Sequence, residues 1–395
     1  MAAEPRRSRA ARLRASVPRL SQFALEHLLL LPLGAGIALI WANIWPESYF
    51  QTSYAAAFAI NDVAMVFFFA LMTKEVVEAT APGGVLHPWR RAWLPVIAAI
   101  GVATIPAWLH TNLVDYFDEP MLVSGWPVAF TIDVALAYFV ARLVFGPRHP
   151  AIPFVLVLSI AADALGFVAL AITDPTPFRP AGLAGVVVAM AVAGGLRRSG
   201  VRSFWPYLAG PGTLSWIALL WSGLHPALAL VPVLPFLPHA ARDPGFFVDA
   251  PEGARDTLSQ FDRVCRYPAQ AALFLFGLIN GGVPLHAFEA GAWALPVATI
   301  VGRPLGLLAG VAFARAIGMH MPHRLSWRSL VPLGFATASG FSVGLFFTTA
   351  LIPPGQLRSE ISMGVLITAV LGPVLALVTG WLTKARYGEG PAPDA

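Results

Sequence analysis

Six ionisable side chains sit inside long apolar runs of this sequence: Asp62, Glu75, Asp133, Asp163, His225 and Arg303. A charge at the centre of a hydrocarbon layer costs about 2.5–3.5 kcal/mol on insertion scales, so each needs a compensating role. A carboxylate at such depth can hold either a proton or a cation and exchange one for the other, whereas a guanidinium keeps its proton. Asp133 and Asp163 fall near the middle of consecutive runs, and Arg303 near the middle of a later one, within Ile300-Val301-Gly302-Arg303-Pro304-Leu305-Gly306. Two chemistries fit these types. One is cation–proton exchange at Asp163 and Asp133. The other is a permanent Asp163–Arg303 ion pair that locks two helices together.

The elements that must carry these residues follow from composition. The 395 residues are 57% hydrophobic and 12% charged, about half the charge of a soluble domain. The solvent is therefore a bilayer. About twenty apolar residues cross its hydrocarbon core, and the apolar runs give about twelve spans, at roughly 23–45, 54–79, 92–113, 121–146, 151–173, 180–196, 204–221, 223–238, 267–285, 290–316, 328–352 and 360–383. With both termini cytoplasmic, the inner segments carry Arg6 to Arg19, Arg90, Arg91, Arg148, Arg197, Arg198, Arg202, Arg242, Arg255, Arg263, Arg266, Arg324, Arg328, Lys384 and Arg386. The outer segments carry only Arg179 and Arg358, beside Asp115, Asp118, Glu119, Asp174, Glu289 and Glu360. That asymmetry supports the count through the positive-inside rule.

Two spans read as broken. The fourth carries Gly125-Trp126-Pro127 and a polar Thr131 before Asp133, and the eleventh carries Ala338-Ser339-Gly340-Phe341-Ser342-Val343-Gly344. Helices interrupted at the midplane in corresponding positions mark ion sites in inverted-repeat transporters, which makes spans 3–5 and 10–12 the two repeats. Helix ends left by such breaks carry partial charges. Asp133 could balance the positive ends and Arg303 the negative ones. For the eleventh span alone, close packing by small residues is the competing explanation.

The rest of the chain excludes other classes. The single Cys265 allows no internal disulfide. The net charge of +5 is spread over short loops, so no nucleic-acid surface is expected. No hydrolase triad, metal motif or phosphate loop stands out on the spans, so no enzyme and no cofactor is expected. One transmembrane domain, 21–384, lies between an Arg-rich tail, 1–20, and a short tail, 385–395. The hydrophilic insert 240–266 reads as a cytoplasmic loop, with a short amphipathic helix near Thr257–Arg266.

At this point the residues become recognisable. Asn61-Asp62-Val63-Ala64, Leu94-Pro95-Val96-Ile97, Gly125-Trp126 with Asp133-Val134-Ala135, Ser222-Gly223-Leu224-His225, Asn280-Gly281-Gly282-Val283, Gly302-Arg303-Pro304-Leu305-Gly306 and Gly340-Phe341-Ser342 occur in one order. Over residues 23–383 the chain resembles the NhaA family of sodium/proton antiporters. The resemblance implies an all-α polytopic fold of about twelve helices and an inner-membrane location. It also implies transported Na+ or Li+ and a homodimer, although Asn43 to Ser53 shows no clear pairing strand. The family's ion site centres on two adjacent aspartates, a further aspartate and a lysine. Carried over, these fall on Asp163, Ala164, Asp133 and Arg303. Ile132 stands in place of a threonine, with Thr131 one position earlier. His225 matches a histidine linked to pH response, and Glu75 a funnel glutamate, with Lys74 beside it.

The departures carry chemical weight. Ala164 removes one exchanging carboxylate, and Arg303 cannot release a proton as a buried lysine can. The expected activity is exchange of Na+ or Li+ for protons at Asp163 and Asp133, helped by oxygens of Thr131 and Ser342. One exchanging carboxylate implies a 1:1, electroneutral stoichiometry. The alternative is an NhaA-type scaffold without proton coupling, acting as a uniporter, a carrier of another solute or a sensor, with Asp163–Arg303 as a structural pair. Glu75, His225 and Asp62 are the candidates for pH response or funnel roles.

Overall fold

Apolarity forces the backbone to satisfy itself, and helices do so within one segment. The computed structural model describes residues 30–81, 93–146, 149–173, 178–239, 256–322 and 324–387, and among them every long element is helical. In chain order these are α1 (Leu30–Ile44), α2 (Pro46–Ala57), α3 (Met65–Thr80), α4 (Trp93–Tyr116), α5 (Val134–Phe145), α6 (Ala151–Thr173), α7 (Pro180–Arg198), α8 (Thr213–Ser222), α9 (Thr257–Asn280), α10 (Ala290–Ala316), α11 (Trp327–Ala336), α12 (Phe341–Leu351) and α13 (Gln356–Tyr387). A 3-10 helix, Pro120–Phe130, precedes α5. Among the described residues, six helices, counting α2 through α3 as one, are long and apolar enough to cross a membrane. Two bent pairs, the 3-10 helix with α5 (59°) and α11 with α12 (51°), reach that length together.

The apolar runs map onto these elements in order, with three differences. Residues 223–238, expected as a spanning helix, form short 3-10 turns at Pro226–Leu228 and Leu234–Phe236. Pro226, Pro232 and Pro235 remove the N–H groups that a continuous helix there would need. The helix expected near Thr257–Arg266 is not a separate piece but the first turns of α9, started by Asp256, whose carboxylate accepts the Ser259 N–H. Helix α2 runs into α3 through a π-helical stretch, Phe58–Ala64. Residues 1–29 and 388–395, residues 240–255 of the hydrophilic insert, and the basic loop residues Arg90, Arg91 and Arg148 lie outside the described residues.

Two sets of three elements position the site: α4, the first bent pair and α6, then α10, the second bent pair and α13. Their lead helices, α4 and α10, pack backbone to backbone. A Cβ on Gly302 would lie 2.8 Å from Pro106 Cα, and one on Gly310 would lie 2.7 Å from Ala98 Cα, while Gly306 meets the carbonyl of Gly101. Small residues every fourth position allow this approach. It places Arg303, between Gly302 and Gly306, deep in the molecule.

Candidate functional site: two broken helices and two cavities

The bends meet. The first break, Thr131 to Asp133, is extended, with ψ of 136° at Thr131 and 100° at Asp133. The second lies between Ala336 and Phe341 and passes directly over the first. The Asp133 N–H donates to Ser339 O at 2.7 Å. A Cβ at Gly340 would stand 2.5 Å from Thr131 Oγ1 and 2.7 Å from Thr131 O, so only glycine lets the two strands cross here.

Each break leaves unpaired backbone ends, and charged side chains meet them. Asp133 Oδ1 accepts the Leu136 N–H of α5 at 2.9 Å, and Oδ2 accepts the Ser342 N–H of α12 at 3.0 Å. One carboxylate therefore caps both positive helix ends. Arg303 Nη2 donates to Ala129 O at 2.7 Å and Thr131 O at 2.6 Å, where the 3-10 helix ends. Asp163 Oδ1 accepts the Ile132 N–H at 2.8 Å. The Thr131 hydroxyl donates to Val128 O at 2.8 Å.

A direct Asp163–Arg303 ion pair does not form: no such contact lies within 4 Å among the described residues. The guanidinium is drawn instead to the carbonyls of the broken helix, which lie nearer and carry partial negative charge. Its Nε and Nη1 are buried without a hydrogen-bond partner among the described residues.

A cavity of about 410 Å3 opens onto this crossing. Asp133, Asp163, Ser342, Thr73 and Glu75 supply its polar groups, and rings such as Phe69 and Phe167 much of the rest. Ala164 lines it too, so the position lacking a second carboxylate faces the same space. Thr131 is buried but does not line it. Toward Glu75 the charge is organised around a fully buried Lys74. Its Nζ lies 3.2 Å from Glu75, 2.8 Å from Glu78 and 3.9 Å from Asp262, and Asp262 also meets Arg266 at 3.0 Å. Glu78 and Asp262 were not singled out from the sequence. The i,i+4 spacing of Lys74 and Glu78 is the signal that could have found Glu78.

A second cavity, about 770 Å3, holds Asp62, His225, Asn61, Asn280 and Arg358. His225 Nε2 lies 3.8 Å from Asp62 Oδ1, and its Nδ1 accepts the Ala227 N–H at 3.3 Å. Between the cavities stands an aromatic wall. The His225 and Phe346 rings are 4.4 Å apart, Phe346 and Phe69 4.7 Å, and Phe69 and Phe167 5.4 Å. Phe346 is fully buried and lines neither cavity. The structure thus brings Asp163, Asp133, Ser342 and Glu75 to one cavity and puts Asp62 and His225 at another. Among the described residues, no group of three or more His, Cys, Asp or Glu converges as a metal site.

Known proteins share this architecture. The sequence profile of the Na+/H+ antiporter 1 family matches residues 24–380. The chain is 37% identical over 370 residues to the Na+/H+ antiporter NhaA of Desulfitobacterium hafniense, covering 91% of this chain and 94% of that one. It is 35% identical over 378 residues to Na+/H+ antiporter NhaA 2 of Pelobacter propionicus, covering 91% and 99%. The solved structure of the sodium proton antiporter MjNhaP1 from Methanocaldococcus jannaschii matches with a TM-score of 0.58 at 15% identity, covering 90% of this chain and 91% of that one, which is a likeness of fold. With a family profile spanning nearly every described helix, the chain belongs to the NhaA family of Na+/H+ antiporters, multi-pass transporters of the membrane.

Proposed function

We propose that this chain exchanges Na+ or Li+ for protons across the inner membrane, with Asp163 as the exchanging group. The observation that carries this is the division of labour between two carboxylates. Both oxygens of Asp133 already hold a helix-end N–H. Asp163 spends only Oδ1, on Ile132, and among the described residues no protein donor reaches Oδ2. Asp163 also lines the cavity, so a cation or a proton arriving there has one open carboxylate oxygen to bind. Ser342 in the same lining offers a further oxygen, and Asp133 adds negative charge nearby.

One exchanging carboxylate gives one cation for one proton, an electroneutral cycle. The curated relatives are named Na+/H+ antiporters, which supports Na+ as substrate. The loop arginines support cytoplasmic termini, and Glu75, near the end of α3 that leads to Arg90 and Arg91 in the sequence, supports the same side for its cavity. Against a structural Asp163–Arg303 lock stands the spacing: no contact within 4 Å joins the two side chains among the described residues, and both bind the same stretch of backbone.

The test is cation-dependent pH change in sealed vesicles containing the purified protein. A response to Na+ or Li+ that disappears in Asp163→Asn, with folding intact, supports the proposal. Exchange that survives Asp163→Asn, or a folded wild type silent to Na+, Li+ and K+, sinks it.

A further inference from the structure

We propose that Asp62 forms a second alkali-cation site, in the cavity on the far side of the aromatic wall from Asp163. The inference rests on the antiporter reading for its role but not for its binding chemistry.

Three observations converge. The first is the backbone: Asn61 and Asp62 sit within the π-helical stretch Phe58–Ala64, and such insertions are rare and concentrate at functional sites. The insertion is held from two sides. Trp216 Nε1 of α8 donates to Asp62 O at 2.9 Å, and Asn280 of α9 donates to Asn61 Oδ1 at 2.9 Å. Neither bond uses the Asp62 carboxylate.

The second is charge. Asp62 lines the 770 Å3 cavity. Among the described residues, the only cationic side chain within 4 Å of it is His225, at 3.8 Å, beyond hydrogen-bond length. Arg358 lines the same cavity, with its guanidinium engaged by backbone: Nε donates to Ile352 O at 2.6 Å and Nη2 to Thr349 O at 3.0 Å, at the C-terminal end of α12. The negative end of that helix offsets its charge. Among the described residues, no cationic group therefore stands within hydrogen-bond distance of the Asp62 carboxylate.

The third is the ligand field. Hard cations take oxygen ligands, and the lining beside Asp62 carries Asn61, Ser53, Ser359 and Ser362. His225 closes the inner end of the site, its ring against Phe346. A monovalent cation collected at Asp62 stands one aromatic layer away from the Asp163 cavity, addressed from the opposite face.

Binding and transport test this separately. In detergent, 23Na line broadening by the Asp163→Asn protein is expected to persist and to be lost in Asp62→Asn/Asp163→Asn, with Asp62→Glu/Asp163→Asn restoring it. Loss already in Asp163→Asn, or persistence in Asp62→Asn/Asp163→Asn, overturns the site whether or not the wild type transports. In right-side-out and inside-out vesicles, Asp62→Asn is expected to raise the KM for Na+ about tenfold on the face its cavity opens to, and less than twofold on the other. An equal shift on both faces, or none on either, also overturns it. Failure of the central proposal looks different: exchange that survives Asp163→Asn.

Discussion

Asp163 and Arg303 hold the same unwound segment by opposite means: the carboxylate accepts the Ile132 N–H, while the guanidinium donates to Ala129 O and Thr131 O. The two charges communicate through a few residues of backbone and not by contact. Removing the guanidinium leaves two buried carbonyls without donors, and each such group costs about 1–3 kcal/mol. Arg303→Met is therefore expected to lower stability by about 2–6 kcal/mol. Arg303→Lys loses less, since one ammonium can still serve a carbonyl and three of the five native N–H groups, on Nε and Nη1, go unused. Thermal unfolding in detergent checks the order wild type, then Lys, then Met.

Asp133 and Asp163 are expected to separate in the same assays. Asp133→Asn keeps one oxygen for a helix end but turns an NH2 toward the other, and loses the charge opposite both. Caps of this kind are worth about 0.5–2 kcal/mol. The variant should unfold at a lower temperature and exchange more slowly, while still exchanging. Asp163→Asn should keep its unfolding temperature and lose exchange. The reverse pattern would move the exchanging role to Asp133.

Gly340→Ala tests the crossing itself. The new methyl group would overlap Thr131 Oγ1 and its carbonyl, and the backbone on both sides has no slack. Overpacking of this sort costs about 1–3 kcal/mol, so the variant should fold poorly, with exchange falling along with the folded yield. A companion Gly340→Ala/Thr131→Ser, which keeps the hydroxyl, should not recover it, because the carbonyl still collides. Fluorescence-detected size exclusion would report both.

How much of this was legible beforehand depends on which force set each feature. Bilayer thickness and loop arginines reveal helix order, and Gly125-Trp126-Pro127 does point to a broken helix. Yet the break falls at Thr131–Asp133, because Pro127 is tolerated within a 3-10 helix while the extended residues are held by Ser339 and Asp163. Hydropathy could not see that 223–238 forms turns, since apolarity says only that a segment avoids water. The sequence offers Arg303 two kinds of partner, a carboxylate or helix-end carbonyls. Only the fold chooses between them, because carbonyls leave no mark on a sequence. The π-helical insertion at Asn61–Asp62 has no sequence signature at all, being one residue of surplus absorbed by packing against Trp216 and Asn280.

Phe346→Ala should breach the aromatic wall. Deleting a buried phenyl ring costs about 3–5 kcal/mol and leaves a void between the two cavities. Surviving folded protein is expected to dissipate a pH gradient without added Na+, where the wild type holds it. Passive proton leak in liposomes, measured before any cation is added, is the readout. An intact gradient in a folded Phe346→Ala protein would mean that Phe69 and Phe167 seal the path unaided.

That wall also has an electrical meaning. With a cavity on either side of Phe346, the insulating layer is thinner than the bilayer, as in a capacitor whose plates have been brought together. With water in both cavities, most of the membrane voltage would drop across a few rings. An elementary charge carried through 100 mV does or absorbs about 2.3 kcal/mol of work. A bare Asp163 carboxylate moving relative to that layer would bear nearly all of it, whereas one neutralised by either Na+ or H+ would bear none. On the proposed one-for-one exchange at Asp163, the thin wall would make a transporter driven by concentration gradients alone, indifferent to the cell's resting potential.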